Sequence, residues 1–159
     1  FAVRNLNMKK MKFIALVFLG LTLSFATQAQ IKWLKFEEAI ALNAKNPKMI
    51  IVDVYTDWCG WCKKMDKETF TDPKVVDYIS NNFYAVKMNA EDTQRTFEFM
   101  GKKYNEAQMA AAMRVNSYPN FVVIEPQLQN IAQLPGYRQP EQFIAGLNEL
   151  LEKAFRIKP

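Results

Sequence analysis

The chain contains no histidine and only two cysteines among its 159 residues. Both shortages limit its chemistry. Haem attachment at a Cys-x-x-Cys needs histidine after the second cysteine, and Lys63 stands there. A structural zinc site takes about four cysteine or histidine ligands, and one copy of the chain offers two, so no metal is expected. Glycine is scarce too, at five residues. There is no Gly/Ser-rich linker, internal repeat or low-complexity tract, so residues 30–159 read as one domain.

The apolar run from Phe13 to Phe25 holds 13 residues, short of the ~20 that span a bilayer. Lys9, Lys10 and Lys12 precede it and Ala26-Thr27-Gln28-Ala29 follows. This order of basic, apolar and small-residue regions is that of a secretory signal peptide. Translation is expected to start at Met8 or Met11, with residues 1–7 an upstream read-through, residues 8–29 the leader and Gln30 the first mature residue. An uncleaved membrane anchor is the competing reading. Gln30, not cysteine, stands directly after the cleavage point, so no lipoprotein anchor is expected. Residues 1–29 carry four of the 21 basic residues and no acid, so removing them leaves 17 basic against 16 acidic, net +1. That balance gives no reason to expect nucleic acid or an anionic membrane as a partner. The expected location is the periplasm or the extracellular space, an oxidising setting.

What is present is a single dithiol motif, Trp58-Cys59-Gly60-Trp61-Cys62-Lys63. It follows the apolar, β-branched run Met49-Ile50-Ile51-Val52-Asp53-Val54-Tyr55 and opens a helix-like run. Cysteines three apart at a helix start are the layout of a redox pair. The free N–H groups and positive dipole end there stabilise a thiolate on the first cysteine, and the thiolate is the form that attacks a disulfide. A small structural disulfide and a Cu(I) thiolate pair are the alternatives. A bridge closing so short a loop constrains little of the unfolded chain.

The rest of the chain alternates. Phe36 to Leu42 has helical spacing ahead of Pro47, and Thr71-Asp72-Pro73 reads as a second helix start. Phe83 to Met88 reads as a strand. Phe97, Met100 and Tyr104 fall on one helical face, and Gln108 to Met113 has helical propensity. These apolar residues are expected in the core. Phe121 to Ile124 and Ile131 to Leu134 form strands around a turn, and Pro140 opens a last helix. The order predicts an α/β fold, a mixed central sheet with helices on both faces. The first two crossovers predict parallel pairing, and the short turn an antiparallel edge.

With these elements in place the chain resembles the thioredoxin superfamily, in particular exported bacterial thioredoxin-like proteins of the thiol–disulfide interchange type. The resemblance rests on Val52-Asp53-Val54 leading into the dithiol motif and on Asp53, six residues before Cys59. Ser117-Tyr118-Pro119 before an apolar strand and Gly136 after the hairpin complete it. It covers roughly Ile31 to Lys153 and implies a thioredoxin-like fold. Two departures stand out. Gly60-Trp61 separates the cysteines where typical thioredoxins have Gly-Pro, and Glu91 to Asn105 is longer than a minimal thioredoxin needs.

The resemblance implies roles residue by residue. Cys59 is the nucleophile, with an exposed sulfur, and Cys62 is the resolving thiol. Asp53 is a buried acid with a raised pKa that exchanges a proton with Cys62. Trp58, Gly60, Trp61, Tyr118 and Pro119 form the substrate-binding surface, with a cis bond before Pro119. No cofactor is implied beyond the Cys59–Cys62 disulfide. The partners implied are client proteins with disulfides or thiols and a membrane-bound or soluble thiol electron donor, with the chain itself a monomer. The strongly oxidising members carry histidine between the cysteines, so a protein-disulfide reductase is expected. The competing functions are a disulfide oxidase or isomerase, and a binding or chaperone module with an incidental dithiol.

Overall fold

A computed structural model describes residues 30–157; the leader expected over residues 8–29 lies outside the described residues. Among the described residues, α1 (Phe36–Lys45) is followed by β1 (Met49–Tyr55), α2 (Gly60–Lys64) and a π-helical turn (Met65–Thr69). Then come α3 (Pro73–Asn82), β2 (Phe83–Asn89), the short strands β3 (Thr96–Phe99) and β4 (Lys102–Asn105), and α4 (Glu106–Ala112). The hairpin strands β5 (Asn120–Ile124) and β6 (Ile131–Pro135) and the closing helix α5 (Pro140–Phe155) complete the order.

The main sheet has the order β2-β1-β5-β6. The central strand β1 is buried on both faces, as its continuous apolar sequence requires. Its side chains alternate between two cores. Met49 and Ile51 join Val75, Val76 and Ile79 of α3 and Phe143, Leu147 and Leu151 of α5. Ile50, Val52 and Val54 join Phe36 and Ala39 of α1 and Met109 and Ala110 of α4. Asp53 therefore enters the first core, where Phe70, Phe121 and Phe143 pack edge to face.

Pairing differs from expectation in one place. β1 and β2 run parallel, with Asp53 beside Lys87 in register. The second crossover does not give a parallel strand: β5 runs antiparallel to β1, with Asn120 opposite Val54. The reason is where the connection starts and ends. β2 finishes at Asn89 beside Tyr55, and β5 begins beside Val54 at that same end of the sheet, so the chain must turn back.

The stretch after β2 also departs from the helical reading. Residues 96–105 form a β-hairpin, not a helix. Phe97 and Phe99, two apart, both pack on Phe36, at ring distances of 5.4 and 5.3 Å. Strand periodicity thus places two rings on the core where helical periodicity would place Phe97 with Met100. Met100 is consequently exposed, at 68%. It occupies the two-residue turn with Gly101, both at positive φ (50° and 72°), the geometry such hairpin turns need. Arg95 ties the hairpin down by ion pairs to Glu37 of α1 and Glu106 of α4.

Candidate active site

The loop after β1 carries the dithiol. Cys59 caps the N-terminus of α2 in an extended conformation, and the Cys62 N–H donates to Cys59 Sγ at 3.1 Å. The two cysteines are joined by a disulfide, with Cα atoms 5.3 Å apart. A helix N-terminus aims an orphan N–H at the first sulfur, the arrangement that favours a thiolate once the bond is reduced. Cys59 is not exposed as expected: it is 4% accessible, and Cys62, one turn further in, is 5%. The exposure falls instead on the residues between and before them, Trp58 at 66% and Trp61 at 57%. Gly60 has open space where a Cβ would stand, so its smallness leaves the first turn uncovered.

Each tryptophan is tied to a different loop. Trp58 packs edge-on against Tyr118 at 5.9 Å, and its indole N–H donates to Glu91 Oε1 at 2.9 Å. Trp61 lies 5.2 Å from the Tyr137 ring, and the Lys64 ammonium sits over both rings, at 5.4 and 5.0 Å. The Tyr137 hydroxyl donates to Glu68 Oε2 at 2.8 Å. The Tyr118–Pro119 bond is cis, and the Pro119 carbonyl accepts from the Gly136 N–H at 2.8 Å. Gly136 has φ of 92°, a conformation that favours glycine. Trp58, just before α2, and Trp61, in its first turn, are thus tied by these contacts to the loops that carry Tyr118–Pro119 and Tyr137.

The helix carrying Cys62 widens at Met65–Thr69, where the Phe70 N–H reaches Met65 O at 2.9 Å, an i to i+5 bond. This turn anchors the loop beyond Gly136. The Thr69 hydroxyl donates to Arg138 O at 2.6 Å, and Arg138 N–H to Met65 Sδ at 3.4 Å.

Asp53 is 2% exposed. Its Oδ2 lies 3.3 Å from Lys87 Nζ, and its Oδ1 is buried without a hydrogen-bond partner. Lys87 also pairs with Asp66 of the π-turn. Loss of water raises the Asp53 pKa from 3.8 to about 6; Lys87 opposes the rise and Asp66 adds to it. Burial alone would lower the Lys87 pKa, but its two carboxylates outweigh this and it is raised. The ammonium stays charged at neutral pH, while burial holds the Asp53 carboxyl at about 6.

Lys87, Asp66, Glu91 and Tyr137 are absent from the sequence-based site. Lys87 had a readable signal: it alternates with Phe83 and Ala85 on the buried face of β2, and an inward lysine needs an acid opposite. Asp66 stands one helical turn after Cys62, among acids and lysines that look alike in sequence. Nothing local marks Tyr137. Among the described residues, no group of three or more cysteine, aspartate or glutamate side chains could hold a metal ion.

The family profile of the thioredoxin-like domain matches residues 36–151. The thiol:disulfide interchange protein DsbD of Pectobacterium atrosepticum is 29% identical over 108 residues, covering 67% of this chain and 17% of that protein. The protein of the same name in Escherichia coli is 28% identical over 140 residues, covering 82% and 22%. The chain spans about a fifth of the length of these relatives. Among solved structures, a putative disulphide-isomerase from Bacteroides thetaiotaomicron is 26% identical with a TM-score of 0.62, over 80% of this chain and 98% of that one. The C-terminal domain of Neisseria meningitidis DsbD in its oxidised form has a TM-score of 0.55 at 18% identity, over 72% and 90%.

Proposed function

The chain belongs to the thioredoxin-like domain family, and from that premise we propose that it is an exported protein-disulfide reductase working through Cys59 and Cys62. Thiol–disulfide exchange follows from the family and the cysteine pair; reduction, export and the residue roles are our reading. The observation that carries it is the disulfide at the helix N-terminus, with the Cys62 N–H on Cys59 Sγ, ahead of which β1 carries a buried acid.

The exchange balances without a cofactor. In the reduced protein the Cys59 thiolate attacks one sulfur of a client disulfide, and the other client sulfur leaves as a thiolate. Cys62 loses its proton to Asp53 and attacks Cys59 Sγ in the mixed disulfide. The second client sulfur departs, and the Cys59–Cys62 disulfide of this structure remains. Two electrons have passed to the client, and a thiol donor of either membrane-bound or soluble kind restores the dithiol. Trp58, Gly60, Trp61, Tyr118 and Pro119 supply the client surface: two exposed rings for apolar contact and the Tyr118 backbone at the cis-proline loop, which would pair with an extended client segment. Reduction is favoured by the buried acid, by Trp58 and by the absence of histidine between the cysteines.

In this reading the thioredoxin-like domain begins at Gln30, after loss of the leader. Reduction of insulin by dithiothreitol, followed by turbidity, tests the activity. The expected result is clear acceleration by substoichiometric protein. A flat trace would mark a binding module whose dithiol is incidental.

A further inference from the structure

The segment ahead of α1 takes part in the core beneath the dithiol. Ile31 is buried. Leu34 extends the parallel ladder outside β2: its N–H donates to Ala85 O at 2.8 Å, and its carbonyl accepts from the Lys87 N–H at 3.3 Å. The intervening Trp33 is half-buried, with its ring 5.1 Å from Phe70 and 5.0 Å from Lys87 Nζ. Tyr55 and Phe70 lie 5.4 and 5.7 Å from the same ammonium. Three rings therefore surround the cation that reaches Asp53. A cavity of about 290 Å³ opens here, lined by Trp33, Phe70, Asp66 and Lys87 together with Gln30 and Ile31.

We propose that Trp33 is a positioning residue for disulfide exchange, its ring lining the cavity beside Lys87 and keeping water from the Asp53 carboxylate that Lys87 reaches. The inference rests on the role proposed above for Asp53 as proton acceptor for Cys62. Its physical basis is the order of effects on the buried carboxylate. Loss of water is the largest influence on Asp53; the charged groups acting on it are Lys87 from β2 and Asp66 from the π-turn. Tyr55, on the same strand as Asp53, contributes its ring and a phenol with a raised pKa. Without the Trp33 ring the cavity widens towards Asp53 and water hydrates the carboxylate. Lys87 stays close because Asp66 still holds it. Relief of desolvation is then the dominant change, and hydration favours the charged carboxylate.

The test is the pH midpoint for release of client from the mixed disulfide, measured by rapid mixing, together with the carboxyl 13C titration of Asp53. Trp33→Ala is expected to lower both midpoints by about half a pH unit or more. Trp33→Leu, which keeps apolar bulk and provides a second variant should alanine not fold, is expected to lie between alanine and the wild type. Trp33→Phe should restore most of the wild-type value. In an Asp53→Asn background the Trp33 substitutions should leave the pH profile of release unmoved. Unchanged or raised midpoints in folded Trp33→Ala or Trp33→Leu, alongside a profile that Asp53→Asn flattens, would overturn the role of Trp33 alone. A profile that Asp53→Asn leaves intact would overturn the underlying reading of Asp53, and this inference with it.

Discussion

Cys59→Ser brings disulfide reduction down to the uncatalysed level, whereas Cys62→Ser halts it one step later, with the client bound covalently to Cys59. The two cysteines differ in position on the helix. Cys59 is the N-cap, and its sulfur receives the Cys62 N–H at 3.1 Å; Cys62 lies inside the first turn, away from the open N-terminal N–H groups. The thiolate is therefore favoured on Cys59, and serine there leaves no nucleophile of comparable strength. Serine at 62 leaves Cys59 able to attack but removes the thiol that expels the client, so the mixed disulfide accumulates. Non-reducing gels and intact mass with a disulfide-bearing client separate the two outcomes. Trapping by Cys62→Ser and none by Cys59→Ser is expected. The opposite pattern would reverse the roles.

Asp53→Asn is expected to slow client release most at and above neutral pH and to stabilise the folded protein there. With a pKa of about 6, the wild-type carboxyl is protonated in acid and ionised above neutrality. Only the ionised form accepts a proton from Cys62, so the wild-type release rate should rise as pH passes through about 6. Asparagine fills the space without the acceptor, and that rise should disappear. An unchanged rate between pH 6 and 8 would leave Asp53 a structural acid. The stability argument has the same sign check. The folded pKa lies above the ordinary 3.8, so the folded state holds this proton more tightly than the unfolded chain. The stability linked to it is full below pH 3.8 and is lost as pH rises through about 6. The interval between 3.8 and about 6 corresponds to roughly 3 kcal/mol. Denaturant unfolding at pH 8 should therefore favour the variant by up to about that amount, reduced by whatever Lys87 loses with its partner. At pH 4 the gain should largely vanish.

Much of this site was legible in sequence because its parts are local. The dithiol, its position after a buried strand, and the acid six residues upstream are set by neighbours along the chain. α3 was legible through Asp72 and Pro73: Asp72 Oδ1 accepts from the Lys74 and Val75 N–H groups at 2.8 and 3.3 Å, and Pro73 opens the first turn. What failed was non-local. The β3–β4 hairpin has Met100-Gly101 as its turn, a weak signal beside a helical spacing of Phe97, Met100 and Tyr104. Its choice was decided by Phe36, which lies some sixty residues earlier in sequence and offers one ring to both Phe97 and Phe99. The direction of β5 followed from both ends of a connection lying at one end of the sheet, which spacing alone does not reveal. The burial of Cys59 between two exposed tryptophans, and the Trp61–Tyr137–Lys64 contacts, depend on how loops far apart in sequence meet.

The central claim is that the pair works as a reductant, and its reduction potential tests this most directly. In the proposed reading, buried Asp53 and the absence of histidine between the cysteines favour a reducing dithiol. Trp61 keeps an N–H that proline would lack, which should make it somewhat more oxidising than a Gly-Pro pair, by a few tens of millivolts at most. Equilibration of the Cys59/Cys62 pair with glutathione is predicted to give a value close to the approximately −270 mV of thioredoxin. A value near about −120 mV, that of a strong disulfide oxidant, would contradict the account.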